Sequence, residues 1–313
     1  MKDRQVNIAI INYPGAMLSA VYGMQEIFQL ANKICHEREL KNHFSIMIYD
    51  LNEEHQSLFN DSVTQVVIIP PDIGGNYYQQ PEKSLTEWLL KQHGNGATLC
   101  SVCAGAFILA ETGLLVKREV TTHWDLADQF SKKYPNVLLD SNKILINGGD
   151  IITAGGLMSW LDLCMELVGQ IADQNVMRQL GKYLVIDTGP REQRYYVSFS
   201  PVLDHGDKEI LKAQHFMQAH IEKNITVKQL ATDNFLTERT FLRRFLKATE
   251  LKPIHYLQKL RIQKACDLIE TTNLTVDAIA FKVGYGDTSA FRKIFIKIMG
   301  LTPREFKNRF SKN

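Results

Sequence analysis

The 313-residue sequence predicts two folds in one chain: an α/β N-terminal domain, a parallel sheet flanked by helices, and an all-α C-terminal domain with two helix-turn-helix units. Three observations predict this. Strand-like and helix-like stretches alternate through the first part of the chain, the pattern of a parallel sheet covered on both faces. Near the end, a short helix, a sharp turn and a second helix carrying basic residues occur twice in tandem. The charge is also split. Residues from Lys208 onward hold 20 Lys and Arg against 10 Asp and Glu, leaving 16 basic and 24 acidic before them. The net charge of +2 therefore hides a +10 segment behind a −8 segment. That balance suits a polyanion-binding module attached to one that does not bind polyanions. The expected division is 1–187, a connector over 188–207, and 208–313.

Hydrophobic residues make up 45% and charged residues 22%, which excludes a disordered chain. No stretch is long and apolar enough to span a membrane, and Met1-Lys2-Asp3-Arg4-Gln5 does not read as a signal peptide. Five cysteines at irregular spacing make no disulfide framework. Cys100-Ser101-Val102-Cys103 has no second ligand pair nearby, so neither a metal nor a cofactor is expected. A reducing, cytoplasmic setting follows from this cysteine usage.

In the first domain, Val6 to Ile11 reads as a strand that ends at Pro14-Gly15. Ser19 to Ala31 has helical spacing through Val21, Met24, Ile27, Phe28 and Ala31. Strands follow at Phe44–Tyr49 and Gln65–Ile69, a helix at Ser84–Lys91, a strand at Thr98–Val102 and a helix at Ala104–Glu111. The last strand runs directly into its helix with Cys103 at the joint, a nucleophile-elbow arrangement with cysteine in the serine's place. A thiol there faces free N–H groups and the positive end of a helix, so its pKa is expected to fall. The same N–H groups suit an anion or oxyanion. His123, in Thr121-Thr122-His123-Trp124, is expected to approach the elbow. The candidate ligand site comprises Cys103, Ala104, His123 and Trp124, with Pro14, Gly15 and Gly75. Three readings of Cys103 stay open: a pocket wall, a redox-sensitive thiol, or a relic. Asp187 to Asp207 reads as an interdomain connector, with Tyr195 to Phe199 extended against either domain.

In the second domain, Thr226 with Gln229 three residues on is a capping-box pattern. Thr275 and Asp287 are good N-caps, Pro253 suits the first turn of a long helix to about Thr271, and Thr302-Pro303-Arg304-Glu305 opens a last helix. Phe241 and Phe245, like Phe291 and Phe295, are four apart and belong to the core. The opposite faces carry Arg239, Leu242 and Arg243, then Thr288, Ser289, Arg292 and Lys293. These are the candidate contacts to double-stranded DNA, where Arg and Lys read guanine or hold phosphates and Thr and Ser do either. The helix from Pro253 to Thr271 is about 28 Å long at 1.5 Å per residue. That approaches one turn of B-DNA, roughly 34 Å.

Residues from about Ile210 to Phe310 resemble the DNA-binding domain of AraC/XylS-family transcription regulators. The carriers are Thr275 to Ala280, Val283-Gly284-Tyr285, Ser289 to Phe295 and Gly300-Leu301-Thr302-Pro303. By that pattern the base-facing positions are Arg239, Leu242, Arg243, Thr288, Ser289 and Lys293. Leu242 departs from the polar residue expected and supplies at most an apolar contact. The run Cys103 to Leu115, then Thr121 to Trp124, then Thr153-Ala154-Gly155-Gly156 and Leu161-Asp162-Leu163, resembles the PfpI/ThiJ branch of the class-I glutamine-amidotransferase-like fold, in the form fused to AraC-type domains. The resemblance implies a flavodoxin-like sheet. It also implies a sensor of a small molecule such as an amine or amino acid, a homodimer, a promoter operator and RNA polymerase as partner. Ala104 stands where the enzymes often have His, and Gly15 to Ala20 has no carboxylate to face the thiol. Catalysis is therefore not expected. The alternative is a cysteine-dependent enzyme or thiol redox sensor using Cys103.

Overall fold

A computed structural model describes residues 4–51, 64–186, 192–196, 199 and 201–311. The chain divides into two compact units, Met1–Gln193 and Arg194–Asn313.

The first unit is built on β1 (Arg4–Asn12), β2 (Asn42–Asp50), β3 (Val66–Ile69), β4 (Thr98–Val102), β7 (Leu145–Asn147) and β8 (Ile151–Ala154). Their order is β2-β1-β3-β4-β8-β7, parallel throughout except the β7–β8 pair. β5 (Glu119–Val120) and β6 (Leu138–Leu139) form a separate small pair. Val66 to Ile69 and Ile151 to Ala154 are buried at every position, the mark of strands covered on both faces. Helices α1 (Leu18–Glu37), α5 (Trp160–Ile171) and α6 (Gln174–Leu184) pack on one another, while α2 (Lys83–Gly94) packs with α3 (Gly105–Glu111). A short α4 (Ala127–Lys133) follows. Because the order runs 2-1-3, connections leave β1 and β3 in opposite directions. That opens a crevice at their carboxyl ends, where open α/β sheets hold ligands.

The second unit contains α7 (Lys208–Ala219), α8 (Val227–Asp233), α9 (Glu238–Thr249), α10 (Pro253–Thr271), α11 (Val276–Lys282), α12 (Thr288–Met299) and α13 (Pro303–Phe310). Side chains cap these helices as their types dictate. The Thr226, Thr237 and Thr275 hydroxyls accept from backbone N–H groups three residues on, Asp287 accepts from Ser289 and Ala290, and Thr302 with Glu305 closes a full capping box. Pro253 opens α10.

The core of this unit is divided. Tyr256, Leu257 and Leu260 of α10 pack with Ile210, Leu230, Phe241 and Phe245. Ile262, Ala265, Cys266 and Ile269 pack instead with Ile279, Phe291, Phe295 and Phe306. One helix thus supplies a wall to each helix-turn-helix, its first half to one and its second half to the other.

The segment expected to be a bare connector is more structured than its composition suggested. Gln193–Tyr195 forms a 3-10 turn, so Tyr195, the first residue of the stretch expected to be extended, belongs to a turn. Gln193 is buried in the first unit, whereas Phe199 packs edge-on to Tyr256, 5.4 Å between ring centres, in the second. Residues 187–191, 197, 198 and 200 of that segment lie outside the described residues.

Candidate functional site

Two surfaces carry chemistry, one at the elbow of the first unit and one on the helix-turn-helix pair. At the elbow, Cys103 adopts φ +54°, a left-handed conformation that costs an L-residue energy and is held by its surroundings. Its N–H donates to the Ala154 carbonyl at 2.8 Å, and its own carbonyl accepts from the Thr122 hydroxyl at 2.7 Å. Strand β8 and the Thr121–Thr122 segment therefore clamp the joint from both ends.

The thiol itself is 4% exposed. Burial pushes its pKa up to about 12, and the opposing pull of the Ala104 N–H is smaller. The expectation of a lowered pKa is corrected: desolvation outweighs the Ala104 N–H at the start of the seven-residue α3. Since the thiolate is the nucleophile, Cys103 should be alkylated on the order of 10³-fold more slowly than a free thiol near neutral pH. Iodoacetamide labelling followed by peptide mass analysis would measure this. A rate equal to that of free cysteine would contradict the burial argument.

A carboxylate does stand near the thiol, contrary to expectation, but it arrives from another loop. Asp72 follows β3, and its charge adds to burial, the larger cause, in raising the pKa values of both Tyr13 and Cys103. Asp72 Oδ1 accepts from the N–H groups of Gly74 and Gly75 at 3.1 and 2.9 Å. Oδ2 is buried and has no hydrogen-bond partner among the described residues. Burial raises the Asp72 pKa in turn, with the two glycine N–H groups opposing. Gly15 and Gly75 pack together beside it: a Cβ on Gly15 would lie 2.6 Å from Asp72 Oδ2 and 2.8 Å from the Gly75 Cα. A Cβ on Gly75 would lie 3.0 Å from the Pro14 carbonyl. Tyr13 completes the wall, its hydroxyl donating to the Pro70 carbonyl at 2.9 Å. Pro14, Gly15 and Gly75 therefore share one corner with Asp72.

His123 and Trp124 lie on the next loop, their rings 5.4 Å apart. Among the described residues no hydrogen bond joins His123 to Cys103. The imidazole is oriented by the backbone N–H of Asp125, which donates to Nδ1 at 3.1 Å, and not by the Asp125 carboxylate. Burial lowers its pKa, the Asp125 charge opposing, and the bond accepted at Nδ1 leaves Nε2 as the ring's donor. No group of three or more His, Cys, Asp or Glu among the described residues is arranged to hold a metal.

On the helix-turn-helix pair, Arg239, Leu242 and Arg243 are exposed on α9, and Ser289, Arg292 and Lys293 on α12, with Thr288 half-buried at its start. Arg292 reaches Asp277 at 3.1 Å, an exposed pair, which leaves Arg239, Arg243 and Lys293 as the less encumbered cations of the set. Arg244, a neighbour in sequence, points elsewhere: it is chelated by Asp207 and Glu209 at the start of α7.

Sequence reasoning missed Arg261, which sits on α10 between the two cores. Its Nε donates to the Ile221 carbonyl at 2.9 Å and its Nη2 to that of Lys223 at 2.7 Å. The guanidinium lies 5.4 Å from the ring centre of Tyr285, in the turn of the second helix-turn-helix. Gly284 admits it, since a Cβ there would lie 2.7 Å from Nη2. From α10, the Arg261 side chain thus joins the connection between α7 and α8 to the turn of the second helix-turn-helix. Two carbonyl acceptors and an aromatic face converging on it are contacts that only the fold creates.

Two protein families match the two units separately, and some relatives align across both. Residues 230–309 match the helix-turn-helix domain family and residues 56–170 the DJ-1/PfpI family. The HTH-type transcriptional regulator CdhR of Pseudomonas aeruginosa is 27% identical over 223 residues, 71% of this chain and 66% of that protein. The HTH-type transcriptional regulator GbdR of the same species is 24% identical over 219 residues, 70% of this chain and 59% of that protein. The matches thus span about two thirds or less of these relatives' lengths. Drosophila melanogaster DJ-1beta, 16% identical, aligns with a TM-score of 0.49 over 59% of this chain and 100% of its own. The chain carries a DJ-1/PfpI-type α/β domain followed by an AraC-type helix-turn-helix domain.

Proposed function

We propose that this chain is a sequence-specific DNA-binding transcription regulator whose DJ-1/PfpI-type domain senses a small molecule or mediates dimerisation, without catalysis. The observation that carries this reading is the shared helix α10. A rod about 28 Å long, it packs one capped, basic-faced helix against its first half and another against its second. The relatives named as transcriptional regulators support it. Arg239, Leu242 and Arg243 would enter one major groove and Thr288, Ser289 and Lys293 the next, with Arg292 on phosphate. The effector, an amine or amino acid by the family likeness, would bind where Cys103, Ala104, His123 and Trp124 meet Pro14, Gly15 and Gly75. A homodimer would present paired half-sites to RNA polymerase at a promoter, in the cytoplasm.

Against catalysis stand the buried thiol, its pKa pushed up by burial, and an imidazole whose Nδ1 is taken by the Asp125 N–H and which makes no hydrogen bond to the thiol among the described residues. Asp72 beside the thiol is what favours the alternative, cysteine-dependent chemistry. Turnover of a glyoxal or an amide that disappears in Cys103→Ser would establish that alternative.

The proposal is tested by mixing the full chain with sheared DNA from its own genome and sequencing the retained fragments. Enrichment of discrete sites, weakening steeply with salt, supports it; uniform retention contradicts it. On an enriched site, Arg243→Ala should lose about 1–3 kcal/mol of specific affinity. Fluorescence anisotropy would register this as a roughly 5- to 150-fold higher Kd. An unchanged Kd and unchanged base preference would remove Arg243 from the interface.

A further inference from the structure

Gln193 is the last residue of the first compact unit, and Arg194 the first of the second. The side chain of Gln193 is 2% exposed, although glutamine is ordinarily a surface residue. Its Nε2 donates to the Thr122 carbonyl at 2.9 Å, the Lys143 carbonyl at 2.8 Å and the Thr121 hydroxyl at 3.1 Å. Its Oε1 accepts from the backbone N–H groups of Gly156 at 2.9 Å and Trp124 at 3.3 Å. Carbonyls on one side and N–H groups on the other fix which way the amide faces. The backbone joins in: the Gln193 N–H donates to the Asn142 carbonyl at 2.7 Å, and Glu192 bridges to Lys143.

The niche depends on one missing side chain. A Cβ on Gly155 would lie 1.7 Å from Gln193 Nε2. It also borders the elbow. Thr122, whose carbonyl holds the amide, donates its hydroxyl to the Cys103 carbonyl. Gly155 and Gly156 continue from Ala154, whose carbonyl receives the Cys103 N–H. Trp124 is adjacent to His123. Nothing separates this anchor from the second unit in sequence. Arg194 already packs there, where a Cβ on Gly300 would meet its Nε at 2.0 Å, and the Tyr196 ring lies edge-on to Phe310 at 5.5 Å.

We propose that Gln193 is an internal ligand of the DJ-1/PfpI-type domain: its carboxamide latches the connector into a niche beside the elbow, and opening the latch changes how the second unit engages DNA. A small molecule that displaces Thr122, Trp124 or Gly156 releases the amide by breaking its partners. The consequence for DNA rests on the regulator reading above; the latch itself does not.

The test uses the full chain, with trypsin cleavage at Arg191 and Arg194 as the readout of the latch. Gln193→Ala removes the amide. Gly155→Ala evicts it without altering the connector. Gln193→Glu keeps the shape but sets a carboxylate oxygen against the Thr122 and Lys143 carbonyls. All three should be cut about tenfold faster than the wild type, because cleavage follows the population of the open form. Adding Gly155→Ala to Gln193→Ala should change nothing further, since the clash partner is gone. On a DNA site enriched by the wild type, the opened variants should shift Kd about fivefold or more. Cleavage of Gln193→Ala within twofold of the wild type overturns the latch. Faster cleavage with unchanged DNA binding overturns its role in transmission. A wild type that binds no DNA sinks the regulator reading, while the cleavage rates still decide the latch.

Discussion

Phe295→Ala will lower the stability of the second unit by about 3–5 kcal/mol, the usual cost of deleting a fully buried aromatic ring. Phe295 has no exposed surface. Its ring centre lies 5.6 Å from those of both Phe291 and Phe306. It sits in the core that the second half of α10 shares with α11, α12 and α13, and not in the one that holds Phe241 and Phe245. The loss should therefore strike the second helix-turn-helix first. The three tryptophans, Trp88, Trp124 and Trp160, all lie in the first unit, so their fluorescence reports that unit alone. Denaturation should show the second unit's share of the helical circular-dichroism change moving to lower denaturant while the fluorescence transition stays in place. Loss of both together would mean that the two units do not unfold independently.

Arg261→Ala will cost about 2–3 kcal/mol in the same unit. The change removes two charge-assisted hydrogen bonds to main-chain carbonyls and the contact with the Tyr285 ring. Arg261→Lys should recover little, since an ammonium cannot place two donors in a fixed fork. The informative readout is geometric. With the brace gone, each recognition helix keeps its own core and α10 still joins them, but the tie from the α7–α8 connection to the Tyr285 turn is lost. Affinity for a site containing both half-elements should then fall more than affinity for a single element. An equal loss on both would make Arg261 an ordinary stabilising residue.

The parts of this molecule that were legible in the sequence are those governed by local rules. Helix starts at Thr226, Thr275, Asp287 and Thr302 follow from side chains that bond backbone N–H groups two or three residues away. The long helix from Pro253 to Thr271 follows from a first-turn proline and sustained apolar spacing. The strands β1 to β4 follow from apolar runs bounded by turn residues. Strands of two or three residues such as β5, β6 and β7 are too short to show a period. The elbow was visible as a strand running into a helix, yet its electrostatics were not. A thiol at the start of a helix was expected to have a lowered pKa, and burial reversed the sign. Asp72, Gln193 and Arg261 escaped notice for a common reason. Asp72 acts on a thiol 31 positions along the chain, Gln193 bonds a threonine 72 away, and Arg261 a carbonyl 40 away. No period or spacing in the sequence encodes such pairings.

The most direct measurement is hydroxyl-radical footprinting of the full chain on an enriched genomic fragment. Two helices braced by α10 and Arg261 should protect two stretches about ten base pairs apart on one face of the duplex. Thinning of the first protected stretch in Arg243→Ala and of the second in Lys293→Ala would match the assignment of α9 and α12 to successive grooves. A single protected stretch, or protection that ignores both substitutions, would contradict it.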